Sequence, residues 1–152
     1  RKIPFKNDPS VFGHQYIMDE NDTVSGEEEN LLINATTLTV EEAFSEVIAR
    51  NGVCFPAHID RQSSGIVSIL GAFPSEPKYT AYELNDASSL SEYENRFPII
   101  KSLPRTVSSD AHYLWDIAEA SFAIPIDDEP YSSSRVRNYL IDYLLGRIKK
   151  DD

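Results

Sequence analysis

Apolar residues between positions 40 and 50 fall at Val40, Ala43, Phe44, Val47 and Ile48. This is the i, i+3, i+4, i+7, i+8 stripe of a helix packing by one face, and it predicts a helix from about Val40 to Arg50. Thr39 is suited to the N-cap, and Glu42 three residues on completes a capping box. Asn51-Gly52 supplies a left-handed stop. The chain then enters Val53-Cys54-Phe55-Pro56-Ala57, a short continuous apolar run expected of a buried parallel strand. Helix, tight turn and strand make half of a βαβ unit.

The remaining pattern is broken more often. The first dozen residues are interrupted by proline and predict irregular structure. Tyr16-Ile17-Met18 predicts a short strand. The run containing Asp19, Glu20, Asp22, Glu27, Glu28 and Glu29 has no base within it and reads as a solvated loop, after which Leu31-Leu32-Ile33 is apolar again. Ile66 to Leu70 predicts a short helix or turn, and Tyr79 to Leu84 has strand composition. Ser88 or Ser89 is placed to cap a helix through Tyr93 and Arg96. Further strands are expected at Pro98-Ile99-Ile100, at Arg105 to Ser108 and at Ala120 to Ile124. A last helix from about Ser134 to Lys149 aligns Val136, Leu140, Tyr143, Leu144 and Ile148, with Lys149 and Lys150 favourably placed at its C-terminal dipole. Short strands alternating with helices predict an α/β fold with mainly parallel pairing, in which ligands bind beyond the C-terminal strand ends.

Composition narrows the function classes. The 152 residues suit one domain, 1–152, but are short for a complete α/β barrel, which takes about 200–250. The lone methionine is Met18 and none opens the chain, so the sequence is expected to be part of something longer. Fourteen bases against 25 acids give a net charge of −11. That sign disfavours simple electrostatic binding of nucleic acid, and an anionic substrate would need cations in its site. No apolar run is long enough to span a membrane, and no signal-peptide core is visible, so a cytoplasmic protein is expected. The single cysteine, Cys54, excludes an intrachain disulfide and reads as a buried, inert thiol. Asn21-Asp22-Thr23 and Asn34-Ala35-Thr36 match the glycosylation pattern by chance in that context. Nucleophile-elbow, zincin, Walker and dinucleotide-binding motifs are absent. Ser75-Glu76-Pro77-Lys78 fits S-x-x-K formally, but its proline forbids the helical geometry that spacing requires.

Two strand ends carry polar residues of interest. His58 follows the Val53 to Ala57 run, with Asp60 and Arg61 beyond it. Asp110 and His112 follow the Arg105 to Ser108 strand. If that segment is extended, their side chains point to the same side. Imidazole and carboxylate together suit zinc, manganese or iron, which activate water and polarise phosphoryl oxygens. Residue chemistry alone leaves a second reading open, that of hydrogen-bonded loop histidines. Arg61 is placed to contact a phosphate or to pair with Asp60 at the surface. Glu83 at a strand end is either a supporting base or core-edge polarity.

Phe55-Pro56-Ala57-His58 and Ser109-Asp110-Ala111-His112 resemble the late motifs of the polymerase and histidinol phosphatase (PHP) superfamily. So do Ser68 to Pro74, Ala81-Tyr82-Glu83-Leu84, and the stretch from Gly13-His14 through Asp19-Glu20 with Leu32 to Thr36. The resemblance covers roughly residues 11–125. It implies that the chain is a portion, the C-terminal half, of a distorted (β/α)7 barrel with mainly parallel strands. It implies divalent metal ions at the strand ends, a small phosphorylated substrate and hydrolysis of a phosphoester by metal-activated water. Asp110 and His112 match the closing Asp-x-His metal motif, His58 the earlier histidine ligand, and His14 the histidine of the preceding motif. The family's opening His-x-His motif and its bridging acid are absent. The missing ligands would come from the chain's own N-terminal segment or from another copy. The alternative is a non-catalytic PHP-like module with a binding or structural role.

Overall fold

The strand Tyr82–Leu84 buries Tyr82 and Leu84 in one apolar cluster, and Ala81 just before it lies in a second. In the computed structural model, which describes residues 3–120, 122–126 and 128–148, two compact units separate at Ala43/Phe44.

The first unit contains a four-residue helix, α1 (Pro9–Phe12), and a hairpin of β1 (Tyr16–Met18) and β2 (Val24–Glu27). Asp8 caps α1 by accepting from the Ser10 N–H, and Pro9 suits its first turn. The strands pair antiparallel, Tyr16 opposite Glu27, with an irregularity between Ile17 and Met18. The Asp19 carboxylate accepts from the N–H groups of Asn21 and Thr23, both at 2.9 Å, and fixes the connecting turn. Gln15 donates to the carbonyls of Glu28 and Asn30 and accepts from the Leu32 N–H. Among its described residues only Leu31 is a buried hydrophobic, so hydrogen bonds and turns hold this unit more than a core does.

The boundary between the units falls inside α2 (Val40–Ile48). Its capping box forms as the sequence requires: Glu42 N–H donates to Thr39 Oγ1, and Thr39 N–H to the Glu42 carboxylate. Asn51 takes the left-handed conformation at φ 58° that ends the turn after it.

The second unit contains α3 (Ile66–Leu70), β3 (Tyr82–Leu84), α4 (Leu90–Arg96), β4 (Arg105–Val107) and α5 (Ser133–Leu144). Strands β3 and β4 are parallel, with Tyr82 opposite Arg105 and Leu84 opposite Val107. Tyr82 and Leu84 face Ile59, Val67 and Ile100, which form the principal core. Ala81, next to Tyr82, lies in a second cluster with Tyr143 and Leu144 of α5. Ala81 thus starts a second apolar contact on the opposite face, where the strand itself carries the half-buried Glu83. Full burial of a side chain such as Leu84 or Ile100 contributes about 1.5–3 kcal/mol.

The expected portion of a (β/α)7 barrel is not found. Among the described residues the four strands form two separate two-stranded sheets, one antiparallel and one parallel. Several apolar runs that read as strands owe their hydrophobicity to burial in turns. Pro98-Ile99-Ile100 belongs to a 3-10 turn, Pro98–Ser102, which presents the fully buried Ile100 to the core. Val53 to Ala57 is not a strand. Pro56 accepts from the Glu83 N–H but has no N–H to return, so the ladder beside β3 stops there. In the run from Ala120 to Ile124, Ser121 lies outside the described residues and the others are not in a strand. Tyr79 to Leu84 contributes only its last three residues to β3. The acidic run is partly ordered as β2, and the first dozen residues include α1. Helix α5 ends at Leu144; Lys149 and Lys150 lie outside the described residues. Ser89 occupies the N-cap of α4 without a side-chain cap bond, and Asp86 caps the preceding 3-10 turn, Ala87–Ser89, by accepting from the Ser88 N–H. Cys54 is half-buried, and burial raises its thiol pKa. No helix among the described residues is long and apolar enough to cross a membrane.

Burial pushes the Tyr82 phenol up to about 12, with the nearby Arg105 charge pulling the other way. The folded state therefore holds this proton more tightly than the unfolded chain, whose tyrosines titrate near 10. The corresponding stability is complete below pH about 10 and is lost as pH rises through about 12. Denaturant melts between these pH values should show a falling midpoint, and Tyr82→Phe should flatten that slope. An unchanged slope in the variant would assign the effect to other groups.

Candidate functional site

Three segments of the second unit converge beyond the C-terminal ends of β3 and β4. The first is the turn His58 to Arg61, closed by the Arg61 N–H donating to the His58 carbonyl at 3.1 Å. Glu83 fastens this turn in three ways. Its N–H donates to Pro56 O, its carbonyl accepts from the Ile59 N–H, and its carboxylate accepts from the His58 N–H at 3.2 Å. Ile59 is fully buried and anchors the turn in the core. Glu83 therefore supports the histidine through its backbone.

The second segment follows β3. Asn85 donates through its side chain to the carbonyls of Ser108 and Ser109, at 3.1 and 2.8 Å, and so holds the third segment, which follows β4. Asp60 links the first two segments. Its carboxylate accepts from the N–H groups of Asn85 and Asp86 and from the Ser89 hydroxyl, at 2.7–2.8 Å. The expected surface pair of Asp60 with Arg61 does not form. Arg61 crosses instead to Asp110, and its guanidinium donates to the carboxylate.

The same Asp110 oxygen lies 3.8 Å from His58 Nε2. The His58 side chain is 15 % exposed, against 31 % for Asp110 and 38 % for Arg61. His58 Nδ1 is buried without a hydrogen-bond partner. His58 and Asp110 both hold positive φ, 30° and 47°. Such strain persists only where surrounding structure enforces it, and it concentrates at functional sites. Gly65 contributes to the enforcement: a Cβ there would stand 3.0 Å from the His58 carbonyl and 3.6 Å from its Nδ1.

The structure brings His58, Arg61 and Asp110 together, but His112 does not join them as expected. Asp110 is left-handed rather than extended, so the alternation that would align the two side chains does not apply. His112 is exposed and donates through Nδ1 to the Asp110 backbone carbonyl at 2.8 Å. His14 belongs to the first unit, where Nδ1 meets the Glu27 carboxylate at 2.9 Å and the ring stacks on Tyr16. The donor types at His58 and Asp110 suit a borderline dication. Their number falls short, since no group of three His, Cys, Asp or Glu among the described residues is arranged to hold a metal ion. The sequence reading missed the linking roles of Asp60 and Asn85. Their position beside two expected strand ends is the signal that could have pointed to them.

The two carboxylates should differ in their contribution to stability. Arg61→Ala breaks a partly exposed pair and should cost at most about 1 kcal/mol. Asp60→Ala strands three donors and should cost about 1–3 kcal/mol. Urea midpoints compare them directly, and a larger loss in Arg61→Ala would reverse this ranking. No protein-family model matches the chain, and neither a curated protein nor a solved structure matches it.

Proposed function

We propose that His58, Asp110 and Arg61 are this chain's contribution to a metal-dependent phosphoester hydrolase centre. One observation carries the reading: two residues distant in sequence, each with a left-handed backbone, bring an imidazole and a carboxylate 3.8 Å apart beside a guanidinium. The resemblance of the His58 and Asp110 segments to PHP motifs points to the same chemistry. A bound divalent ion supplies Lewis acidity and positive charge against a phosphoryl group. His58 and Asp110 are two donors of such a set, with the others coming from a further segment or a second copy. Arg61 offers two parallel N–H groups to phosphate oxygens, a geometry lysine lacks. Its release from Asp110 would expose the carboxylate as it engages the substrate.

The Arg61–Asp110 pair also favours a second reading, a non-catalytic module. There the carboxylate is neutralised by the chain's own cation, and the three residues only fasten loops.

Manganese and zinc binding, with hydrolysis of p-nitrophenyl phosphate, separates the two. Under the first reading the full protein retains metal after dialysis and hydrolyses the ester. His58→Ala and Asp110→Ala should each lower turnover at least about 100-fold, the scale of lost general acid–base or ligand function. Arg61→Lys should chiefly raise KM. No retained metal and no manganese-dependent turnover would overturn the hydrolase reading.

A further inference from the structure

The turn after His112 exposes an unusual set of side chains. Tyr113, Leu114, Trp115 and Ile117 lie within five residues, and all are on the surface, Leu114 and Trp115 at 85 and 80 % exposure. The Tyr113 and Trp115 rings stack at 4.9 Å with only 5° between their planes. The turn is already fixed. Asp116 N–H donates to the Tyr113 carbonyl at 3.0 Å, and Tyr113 N–H donates to the Asp116 carboxylate at 3.2 Å. Together with Ala111 and His112, these apolar residues line an open, shallow surface depression of about 440 Å³. A contiguous exposed apolar patch marks an interaction surface, and Trp and Tyr are the side chains that most often carry binding energy there.

Charge selects the occupant. Between Arg105 and Arg135 the sequence has no lysine or arginine; Asp116 and Glu119 stand in and beside the turn, while Asp110 is paired with Arg61. A second copy would bring the same net −11 against this segment. A cationic segment gains from the acids, and a guanidinium or ammonium gains again over the stacked ring faces. We propose that the 113–117 turn docks a basic linear segment of a partner protein. An arginine or lysine would lie over Tyr113 and Trp115, with a neighbouring apolar residue against the shallow depression beside them. The fixed turn limits the ordering cost of binding.

Trp115 is the sole tryptophan, so its emission reports on this surface directly. The full chain is titrated with a peptide of alternating arginine and leucine, and separately with its glutamate–leucine counterpart. The basic peptide should change Trp115 emission saturably and bind more weakly as salt rises. With a fluorophore on the peptide, Trp115→Ala and Tyr113→Ala should each weaken binding about 30-fold or more, the scale of a hot-spot aromatic. Both side chains are mostly exposed, so circular dichroism should show these variants folded. An equal response to the acidic peptide, or none to the basic one, overturns the proposal. So does an emission shift with protein concentration alone accompanied by a sedimenting dimer, which would assign the patch to a second copy. None of these readouts depends on metal or hydrolysis.

Discussion

The larger unit depends on a strand of three residues that is bonded on both edges. Along one edge β3 pairs with β4, while along the other Glu83 exchanges backbone bonds with Pro56 and Ile59. Because side chains alternate along a strand, Tyr82 and Leu84 enter one core while the adjacent Ala81 enters another. A register slip of one residue would turn Glu83 into the Ile59–Ile100 cluster and expose Leu84. The positions of His58 and Asp110 are therefore fixed by the same pairing that buries the apolar residues. The polar side chains at the strand ends and the packing beneath them share one determinant.

The polar layer above this strand is organised by carboxylates in unlike roles. Asp60 is a cross-brace, saturated by two backbone donors and a hydroxyl. Glu83 orients the backbone of the histidine turn. Asp110 faces both a guanidinium and an imidazole. These roles arise from position rather than residue type. Asp60 and Arg61 are neighbours in sequence yet serve different partners, because the backbone between them turns.

The helical parts of the chain were legible where a stripe and a cap agreed. Val40 to Ile48 has both, and its capping box forms as read. Ile66–Leu70 and Arg105–Val107 also emerged close to their expected limits. The strands were overcounted because short apolar runs report burial, whatever backbone carries it. Ile100 is buried from a 3-10 turn, and Phe55 packs against the Ala81 cluster without joining a ladder. The extrapolation from such runs to a barrel failed with them. At the site, the residue types at His58, Arg61 and Asp110 were legible, and so was their location at strand ends. The link from Arg61 to Asp110 was not, because it depends on left-handed backbones at His58 and Asp110, and although Asp and His enter that region more readily than most residues, few of them do. Sequence pattern does not announce such conformations.

Pro56 has a consequence for motion. By withholding an N–H it leaves the histidine turn joined to β3 through a truncated ladder, while Tyr82 and Leu84 sit deep in the core. Ile59, fully buried within the turn, makes up for the short ladder, so the backbone of His58 to Arg61 is tied to the same core as the strand. What freedom remains is in the partly exposed Arg61 side chain, which can change partners by rotating about its own bonds while Ile59 stays packed.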